Sequence, residues 1–204
     1  MKYIIVIVVA YLIGSSSMSY YLGKLNGVEL KKMGSKNLGA SNTMALLGWK
    51  AGIIVGLHDI LKAIVAVMLL KYIFPDLQYV KEVAGVSCII GHIFPFYLNF
   101  KGGKGFASYI GMTIALDWKF AIAIVIIIVL VTLITDYIVS GTFSTIILVP
   151  VYTAVIHHNL IAAAILVIAS VVILYKHKEN IHRLLNGTEF GFRSANKGEH
   201  RVKK

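Results

Sequence analysis

Residues 91–108 read GHIFPFYLNFKGGKGFAS, a stretch in which one apolar segment ends at a short basic loop and the next apolar segment begins. We call residues 101–105 the Gly-Lys loop, because three of its five positions are glycine and the other two are Lys101 and Lys104. Such a loop offers backbone N–H groups and positive charge to an anion such as phosphate. The same stretch also fits a tight basic turn at a membrane surface, and by itself it favours neither interpretation.

The composition places this loop in a membrane protein. Of the 204 residues, 58% are hydrophobic and only 14% are charged, and the mean hydropathy is +0.80, which is outside the range of soluble domains. Helices satisfy their own backbone polar groups in lipid, so we predict an all-α polytopic membrane protein. The formal net charge is +11, but the cations lie between and after the apolar segments, which indicates membrane lipids and no nucleic acid as partners.

Several chemistries are not expected. Cys88 is the only cysteine, which excludes an internal disulfide and a thiolate metal site and favours a packing role. The Gly-Lys loop lacks the Ser or Thr and the spacing of a nucleotide P-loop, so ATP is not expected. We therefore predict no metal and no cofactor. Residues 1–17 resemble a signal peptide but lack an A-x-A cleavage pattern, which favours a retained first helix.

Crossing a bilayer as a helix takes about 20 mostly apolar residues. Seven apolar stretches reach or approach this length, at residues 2–22, 45–74, 79–98, 105–116, 118–134, 137–156 and 160–175. The fourth is short, and the fourth and fifth could form one bent element, so five or six spans are the alternatives to seven. We expect a single domain over residues 1–204, which ends in a basic cytoplasmic tail at 176–204.

The distribution of Lys and Arg favours seven spans and sets their orientation. With the N-terminus outside, the cytoplasmic segments hold five of these cations around the first loop, two in the Gly-Lys loop and eight in the tail, which is 15 of the 20. This asymmetry follows the positive-inside rule, and it predicts about seven helices with a cytoplasmic C-terminus.

The first cytoplasmic loop, residues 27–43, includes the run GSKNLGASNT at 34–43. Hydroxyls, amides, glycine N–H groups and a lysine are groups that bind phosphate, although a flexible connector would also be polar. Either Ser41 or Asn42 could cap the helix that follows.

Two residues of opposite charge, Asp59 and Lys62, lie within the second apolar stretch, next to His58. Their spacing of three places them on one helix face, where each neutralises a charge that would be costly alone in lipid. We favour a structural ion pair that faces the bundle interior over a direct role with substrate.

Polar groups recur toward the C-terminus. Residues 140–145 carry several hydroxyls, Thr142 among them, which either bond back to their own helix or add donors to an anion site. In the tail, His177, Asn180 and Leu184 fall on one face if the last apolar helix continues, so that the histidine and the amide can face the cytoplasmic loops. A histidine at such a place is, by itself, more often a surface residue than a catalytic one.

Three separated motifs together resemble the PlsY family of bacterial membrane acyltransferases, which make lysophosphatidic acid from acyl phosphate and glycerol 3-phosphate. The resemblance runs through the whole chain in order, and the second and third motifs are the most specific. The motifs are Gly14-Ser15 with residues 20–24 and the run GSxNxGASN at 34–42, then GHxFP through FKGGKG at 91–105, and KENIxRLLxGxE at 178–189.

The resemblance implies a glycerol-3-phosphate acyltransferase of the bacterial inner membrane, with acyl phosphate as donor and an acyl-phosphate-forming enzyme as a further partner. It implies no covalent intermediate, because phosphate is already a good leaving group, and it assigns the proton of the attacking hydroxyl to a substrate phosphate oxygen. It places Ser35, Lys104, His177 and Asn180 in the catalytic site. Glu189 is expected to pin the tail to the first or second loop. The residues assigned to substrate binding are Lys36, Asn37, Gly39, Ser41, Asn42, His92, Lys101, Gly102, Gly103, Gly105 and Thr142.

The first motif departs from the family in three places. Ala45 stands where the family carries an arginine that is taken to hold the phosphate of glycerol 3-phosphate, Lys36 stands where it carries a glycine, and residues 16–17 replace a proline. An arginine fork binds phosphate through two parallel hydrogen bonds, which alanine cannot make. We hypothesise that Lys36 or Lys31 restores the missing charge.

Two other functions fit part of the pattern. A small transporter or channel for a phosphorylated or lipid substrate would also place glycines and lysines at a membrane face. It predicts polar residues throughout the bundle, however, whereas here they gather mostly at one face. A catalytically weakened relative that binds substrates or partners is favoured by Ala45.

Overall fold

The computed structural model describes residues 1–189, 191 and 193, and within these residues the regular secondary structure is all helical. Two compact units follow one another along the chain, Met1–Trp118 and a second that begins at Lys119. The helices are α1 Lys2–Ser15, α2 Met18–Leu25, α3 Ala40–Leu47, α4 Trp49–Ile73, α5 Val80–Ile93, α6 Phe106–Leu116, α7 Trp118–Thr135, α8 Ile138–Val155, α9 Leu160–Lys176 and α10 Lys178–Leu185, with a 3-10 turn at Phe96–Leu98.

Four helical segments of the described chain are long and apolar enough to cross a membrane. They are Lys2–Leu25, Trp49–Ile73, Trp118–Thr135 and Ile138–Val155, and the bent pair α9 and α10 gives a fifth if it counts as one span. The predicted all-α membrane class is therefore confirmed. The predicted count of seven also needs α5 and α6, which have 14 and 11 residues. The fourth and fifth predicted stretches form separate helices, because the backbone is extended at Asp117, between α6 and α7.

In the first unit, α1 packs against α5 with the two backbones in contact. A Cβ atom at Gly14 would overlap the Cys88 carbonyl, and one at Gly91 would overlap the Tyr11 carbonyl. Small residues permit this approach, which favours helix association in lipid. Cys88 is fully buried in the apolar core that α1, α4 and α5 share, in agreement with the packing role expected for it.

Helix α6 packs against the middle of α4 at its first turns. The Ser108 hydroxyl donates to the Asp59 carbonyl oxygen at 3.0 Å, and a Cβ at Gly111 would overlap the Ile60 carbonyl. Because α6 begins directly after the Gly-Lys loop, these contacts fix where that loop ends relative to α4.

In the second unit, α8 and α9 are joined by the Ser170 hydroxyl, which donates to the Ile146 carbonyl oxygen at 2.8 Å. The rings of Phe120 and Tyr152 stack with their centroids 3.6 Å apart. Helix α9 ends at Lys176, and α10 leaves it at an angle of 56°. The continuing helix, on which His177, Asn180 and Leu184 would share one face, is therefore interrupted at His177.

Candidate active site

The first loop takes its shape from Asn42, which is 3% exposed. Its Oδ1 accepts from the Ser35 backbone N–H at 2.9 Å. Its Nδ2 donates to the carbonyl oxygens of Asn37 at 2.9 Å, Leu30 at 3.1 Å and Met33 at 3.3 Å. One buried amide thus ties the two ends of the loop together and orients the backbone around Ser35, while Ser35 itself is exposed.

The expected N-cap at Ser41 or Asn42 is wrong. Helix α3 begins at Ala40 with Gly39 as its N-cap, and no side chain caps it. Asn42 lies inside the helix because the loop carbonyls engage its amide. The next hydroxyl, on Thr43, donates back to the Gly39 carbonyl oxygen at 3.0 Å.

The first loop and the Gly-Lys loop are adjacent within the first unit. Leu30, Leu38 and Leu98 form a small buried apolar cluster under both loops. The Lys31 ammonium donates to the Leu98 carbonyl oxygen at 2.8 Å, and a Cβ at Gly103 would lie 2.9 Å from the Leu38 carbonyl oxygen. The structure thus brings together two of the three motifs on which the resemblance rests.

The Gly-Lys loop folds back onto the end of α5. The Gly102 N–H donates to the Ile93 carbonyl oxygen at 3.0 Å, and the Gly103 N–H to the His92 carbonyl oxygen at 3.2 Å. The expectation that these two N–H groups face an anion is therefore wrong, because they satisfy carbonyls at the C-terminal end of a helix. Glycine is required here for close packing, since a Cβ at Gly103 would overlap the His92 ring.

Gly105 completes the loop. It is the N-cap of α6 and has a φ angle of 92°, a left-handed conformation that favours glycine over residues with a side chain. It therefore lets the chain turn directly from the loop into α6.

The lysines of the two loops differ in exposure. Lys36 and Lys101 are exposed, whereas Lys31 and Lys104 are half-buried. Partial burial, and after it the nearby charge of Lys101, lower the pKa of Lys31 from its ordinary value. Lys36 has a φ angle of 54°, which explains why a glycine suits this position in the family that the motifs resemble.

The ion pair predicted within the second apolar stretch is present. The Lys62 ammonium lies 2.8 Å from Asp59 Oδ1, and both side chains are about 5% exposed. His92 joins the pair, with its Nδ1 atom 2.9 Å from the Lys62 ammonium. Sequence reasoning missed this contact and also the one from Lys62 to the Ser16 carbonyl, because neither follows from spacing along one helix.

His177 lies in the second unit, at the bend between α9 and α10, and is 5% exposed. Its Nδ1 atom is 2.8 Å from the Ile173 carbonyl oxygen, so Nδ1 carries a proton and the lone pair of the neutral ring lies on Nε2. The Phe143 ring meets the imidazole edge to face, with the centroids 6.2 Å apart. This arrangement fixes both the ring plane and the tautomer of the neutral form.

Asn180 and Arg183 share Glu189 as a partner. The Asn180 Nδ2 donates to Glu189 Oε1 at 2.6 Å, and the Arg183 Nε donates to Glu189 Oε2 at 2.7 Å. Only 8% of the Glu189 side chain is exposed, so this carboxylate orients Asn180 from within the same unit. The further expectation that Glu189 pins the tail to the first or second loop concerns both units and stays a prediction.

Two hydroxyls of residues 140–145 have partners within their own helix. The Ser144 and Thr145 hydroxyls donate to the carbonyl oxygens of Ser140 and Gly141. For these two residues, the interpretation that the hydroxyls bond back to their own helix is therefore confirmed. Thr142 lies on α8 in the same unit as His177 and is 2% exposed.

Comparison with known proteins identifies the family. The profile of the glycerol-3-phosphate acyltransferase family matches residues 4–187. The chain belongs to the glycerol-3-phosphate acyltransferase family. Glycerol-3-phosphate acyltransferase 1 of Oceanobacillus iheyensis is 38% identical over 93% of this chain and 94% of its own length. The Clostridioides difficile member is 35% identical over 92% and 94%.

Two solved structures of this acyltransferase family resemble the whole chain. Both are of PlsY, an integral membrane glycerol 3-phosphate acyltransferase, and each is 28% identical to this chain. The glycerol 3-phosphate form has a TM-score of 0.88 and covers 96% of this chain and 98% of its own. The lysophosphatidic acid form has a TM-score of 0.84 and covers 94% and 95%. This acyltransferase is therefore an integral membrane protein of phospholipid synthesis.

Proposed function

We propose that this acyltransferase moves a fatty acyl group from acyl phosphate to the 1-hydroxyl of glycerol 3-phosphate, which gives lysophosphatidic acid and phosphate. The observation that carries the proposal is that the first loop, which contains Ser35, lies next to the Gly-Lys loop in a chain whose family acts on glycerol 3-phosphate. The two loops present hydroxyls, amides and ammonium groups to a dianionic phosphate, which is the chemistry that such a substrate requires.

The reaction needs orientation and charge stabilisation more than covalent catalysis. The substrate hydroxyl attacks the acyl carbonyl, a new ester C–O bond forms, and the bond to the phosphate oxygen breaks. The hydroxyl proton passes to a phosphate oxygen of the substrate, so Ser35 is not a nucleophile in this scheme. Fixed donors that meet the developing negative charge supply most of the rate enhancement.

Each proposed site residue has a role in this scheme. Ser35 and Lys104 hold the phosphate of glycerol 3-phosphate, whereas His177, Asn180 and Thr142 orient the acyl phosphate. The Nδ1–H bond to Ile173 supports the role of His177, because it directs Nε2 of the ring toward other partners. Asn42 acts through the loop that it holds. The remaining ligands of the proposed substrate site are Asn37, Gly39, Ser41, His92, Lys101 and Gly105, whereas Gly102 and Gly103, whose N–H groups bond to the end of α5, shape the loop.

The missing arginine at Ala45 makes a catalytically weakened relative the second candidate. We propose that Lys36 or Lys31 supplies the charge instead. Lys31 is already held next to the Gly-Lys loop by its bond to Leu98, three residues before the loop. If the compensation is real, Lys36→Ala or Lys31→Ala raises the KM for glycerol 3-phosphate, and Ala45→Arg lowers it. If neither alanine variant changes the KM, the compensation hypothesis is wrong.

We also propose seven spans, with the N-terminus outside, the C-terminus in the cytoplasm and the protein in the bacterial inner membrane as one functional domain. The clustering of Lys and Arg in the first loop, the Gly-Lys loop and the tail supports this orientation. In a variant with Cys88 replaced by serine, single cysteines introduced at positions 36 and 76 would be labelled from opposite faces of the membrane. Labelling of Lys36→Cys from the outside of intact cells would contradict the proposed topology.

The deciding experiment is an assay of the purified protein in lipid, with labelled glycerol 3-phosphate and one of three donors: acyl phosphate, acyl coenzyme A or acyl carrier protein. We expect lysophosphatidic acid from acyl phosphate alone, and a rate about 100-fold to 1,000-fold lower from a Lys104→Ala sample prepared in parallel. Transfer from acyl coenzyme A in preference to acyl phosphate would overturn the donor assignment. Binding of glycerol 3-phosphate without turnover with any donor would instead support the weakened relative.

A further inference from the structure

Four groups form a buried polar cluster in the first unit, which we call the Lys62 cluster: the carbonyl of Ser16 and the side chains of Asp59, Lys62 and His92. The three side chains are 4–6% exposed. Lys62 lies near the middle of the apolar helix α4, where an ionised group is costly and generally marks a functional site. The cluster joins three separate parts of the first unit: α4, the end of α5 and the break between α1 and α2.

The Lys62 ammonium has three hydrogens and three acceptors within bonding distance. The Ser16 carbonyl oxygen lies at 2.7 Å, Asp59 Oδ1 at 2.8 Å and His92 Nδ1 at 2.9 Å. Asp59 Oδ1 also lies near His92 Nδ1, but at the longer distance of 3.3 Å. Two donors would not approach one another to 2.9 Å, and the lysine already donates to the Asp59 carboxylate and the Ser16 carbonyl. The lone pair of the His92 ring therefore lies on Nδ1 and its proton on Nε2.

The opposite edge of the His92 ring meets the Gly-Lys loop. A Cβ at Gly103 would overlap Nε2 of the ring. The backbone of α5 holds the same turn, because the His92 and Ile93 carbonyls accept from Gly103 and Gly102. Both the ring and the main chain of His92 thus contact Gly103, the residue that precedes Lys104.

Stability alone does not explain the cluster. A buried ion pair is often no more stabilising than apolar residues of the same volume, whereas removal of one partner leaves a costly unpaired charge. His58 adds a second link to the same place, because its Nε2 atom lies 3.1 Å from the Ser16 hydroxyl. Polar contacts are thus concentrated at Ser16, in the break between α1 and α2.

We propose that Lys62 is a positioning residue for acyl transfer. By fixing the tautomer and the plane of His92, it holds the Gly102–Gly103 turn in the conformation that presents Lys104 to the substrate phosphate. Asp59 is the counter-ion of Lys62. The proposal rests on the proposed function and adds to it a role for two side chains that have no place among the substrate ligands.

The test compares Asp59→Asn, Lys62→Met and the double variant in lipid, with Lys71→Met as the control that removes a lysine from the same helix. Each single variant leaves a charge unpaired, so we expect a lower Tm. The double variant removes both charges, and we expect it to regain most of the Tm but to keep a KM for glycerol 3-phosphate raised about tenfold or more. A double variant with both the Tm and the KM of the wild type would overturn the proposal and leave a purely structural ion pair.

A second measurement does not depend on turnover. In protein labelled with ¹⁵N-histidine, the His92 signals are assigned by their loss in His92→Asn. We expect Nδ1 of the wild type to resonate as an unprotonated nitrogen, and the double variant to lose this single tautomer. A protonated Nδ1 in the wild type would contradict the proposal. If the wild type made no lysophosphatidic acid, the proposed function would fail, while this spectrum would still decide whether Lys62 sets the His92 tautomer.

Discussion

The two units hold their candidate site residues in different ways. In the first unit, the contacts join residues far apart in the sequence: Lys62 reaches Ser16 over 46 residues and His92 over 30. In the second unit, His177 bonds to a carbonyl four residues earlier, and Asn180 to a carboxylate nine residues later. Long-range contacts depend on the packing of several helices, whereas local contacts depend mainly on one helix and its end. We therefore expect substitutions in the first unit to change substrate affinity and stability together, and those in the second to act mainly on turnover.

The largest effect is expected from Lys104→Ala. Removal of one charged donor from a reaction site typically lowers the rate about 100-fold to 1,000-fold. Lys104 is proposed to hold the phosphate of glycerol 3-phosphate, so we expect kcat/KM with this substrate to fall about 100-fold to 1,000-fold. Lys81→Ala, in the same unit on α5, is the matched control and should retain activity. Undiminished turnover of Lys104→Ala would remove the Gly-Lys loop from the active site and with it the proposed role of the first unit.

The second unit is tested by Glu189→Gln. This change keeps the shape of the side chain but removes the charge that Asn180 and Arg183 share. Hydrogen bonds to charged groups contribute about 1.5–3 kcal/mol, so we expect a roughly tenfold to 100-fold loss of kcat with little change in the KM for glycerol 3-phosphate. Glu179→Gln, at an exposed glutamate of α10 next to Asn180, is the control. Equal losses in the two variants would show that the local contact does not orient Asn180.

The same difference explains how far the sequence could predict the molecule. Apolar runs predicted the helical membrane class, and a spacing of three predicted the Asp59–Lys62 pair, because both depend on one helix at a time. The contact of Lys62 with His92 depends on the packing of α4 against α5, which no spacing reveals. The bend at His177 was missed because an apolar period does not show where the backbone hydrogen bonds of a helix stop.

The Gly-Lys loop shows a second limit of sequence reasoning. Its glycines predicted backbone N–H groups open to an anion, yet Gly102 and Gly103 donate to the end of α5. Composition identifies where a chain can turn or pack closely, but not which partner its N–H groups find. The lysines of the loop remain the groups that fit a phosphate, and this is why Lys104 and not a glycine is the residue to test first.

A smaller effect, and one that separates affinity from stability in the first unit, is expected from Asn42→Ala. The substitution leaves the Ser35 N–H and the loop carbonyls without their partner in a partly buried place, which typically costs about 1–3 kcal/mol in the free energy of unfolding. Because the same contacts orient the backbone at Ser35, the KM for glycerol 3-phosphate should rise as well. Asn26→Ala removes an exposed asparagine and serves as the control. Loss of stability with an unchanged KM would mean that the loop conformation does not set substrate affinity.

The smallest effect is expected from two substitutions of Lys36, which separate the contribution of its charge from that of its backbone conformation. Lys36→Gly and Lys36→Ala both remove the ammonium, but only glycine adopts a φ angle of 54° without steric cost. We expect Lys36→Gly to be more stable than Lys36→Ala by about 1 kcal/mol in the free energy of unfolding. If the lysine compensates for the arginine that Ala45 replaces, both variants raise the KM for glycerol 3-phosphate equally, because both lack the same charge. A raised KM in the alanine variant alone would assign the effect to backbone strain, and Lys31 would then be the remaining candidate for the missing charge.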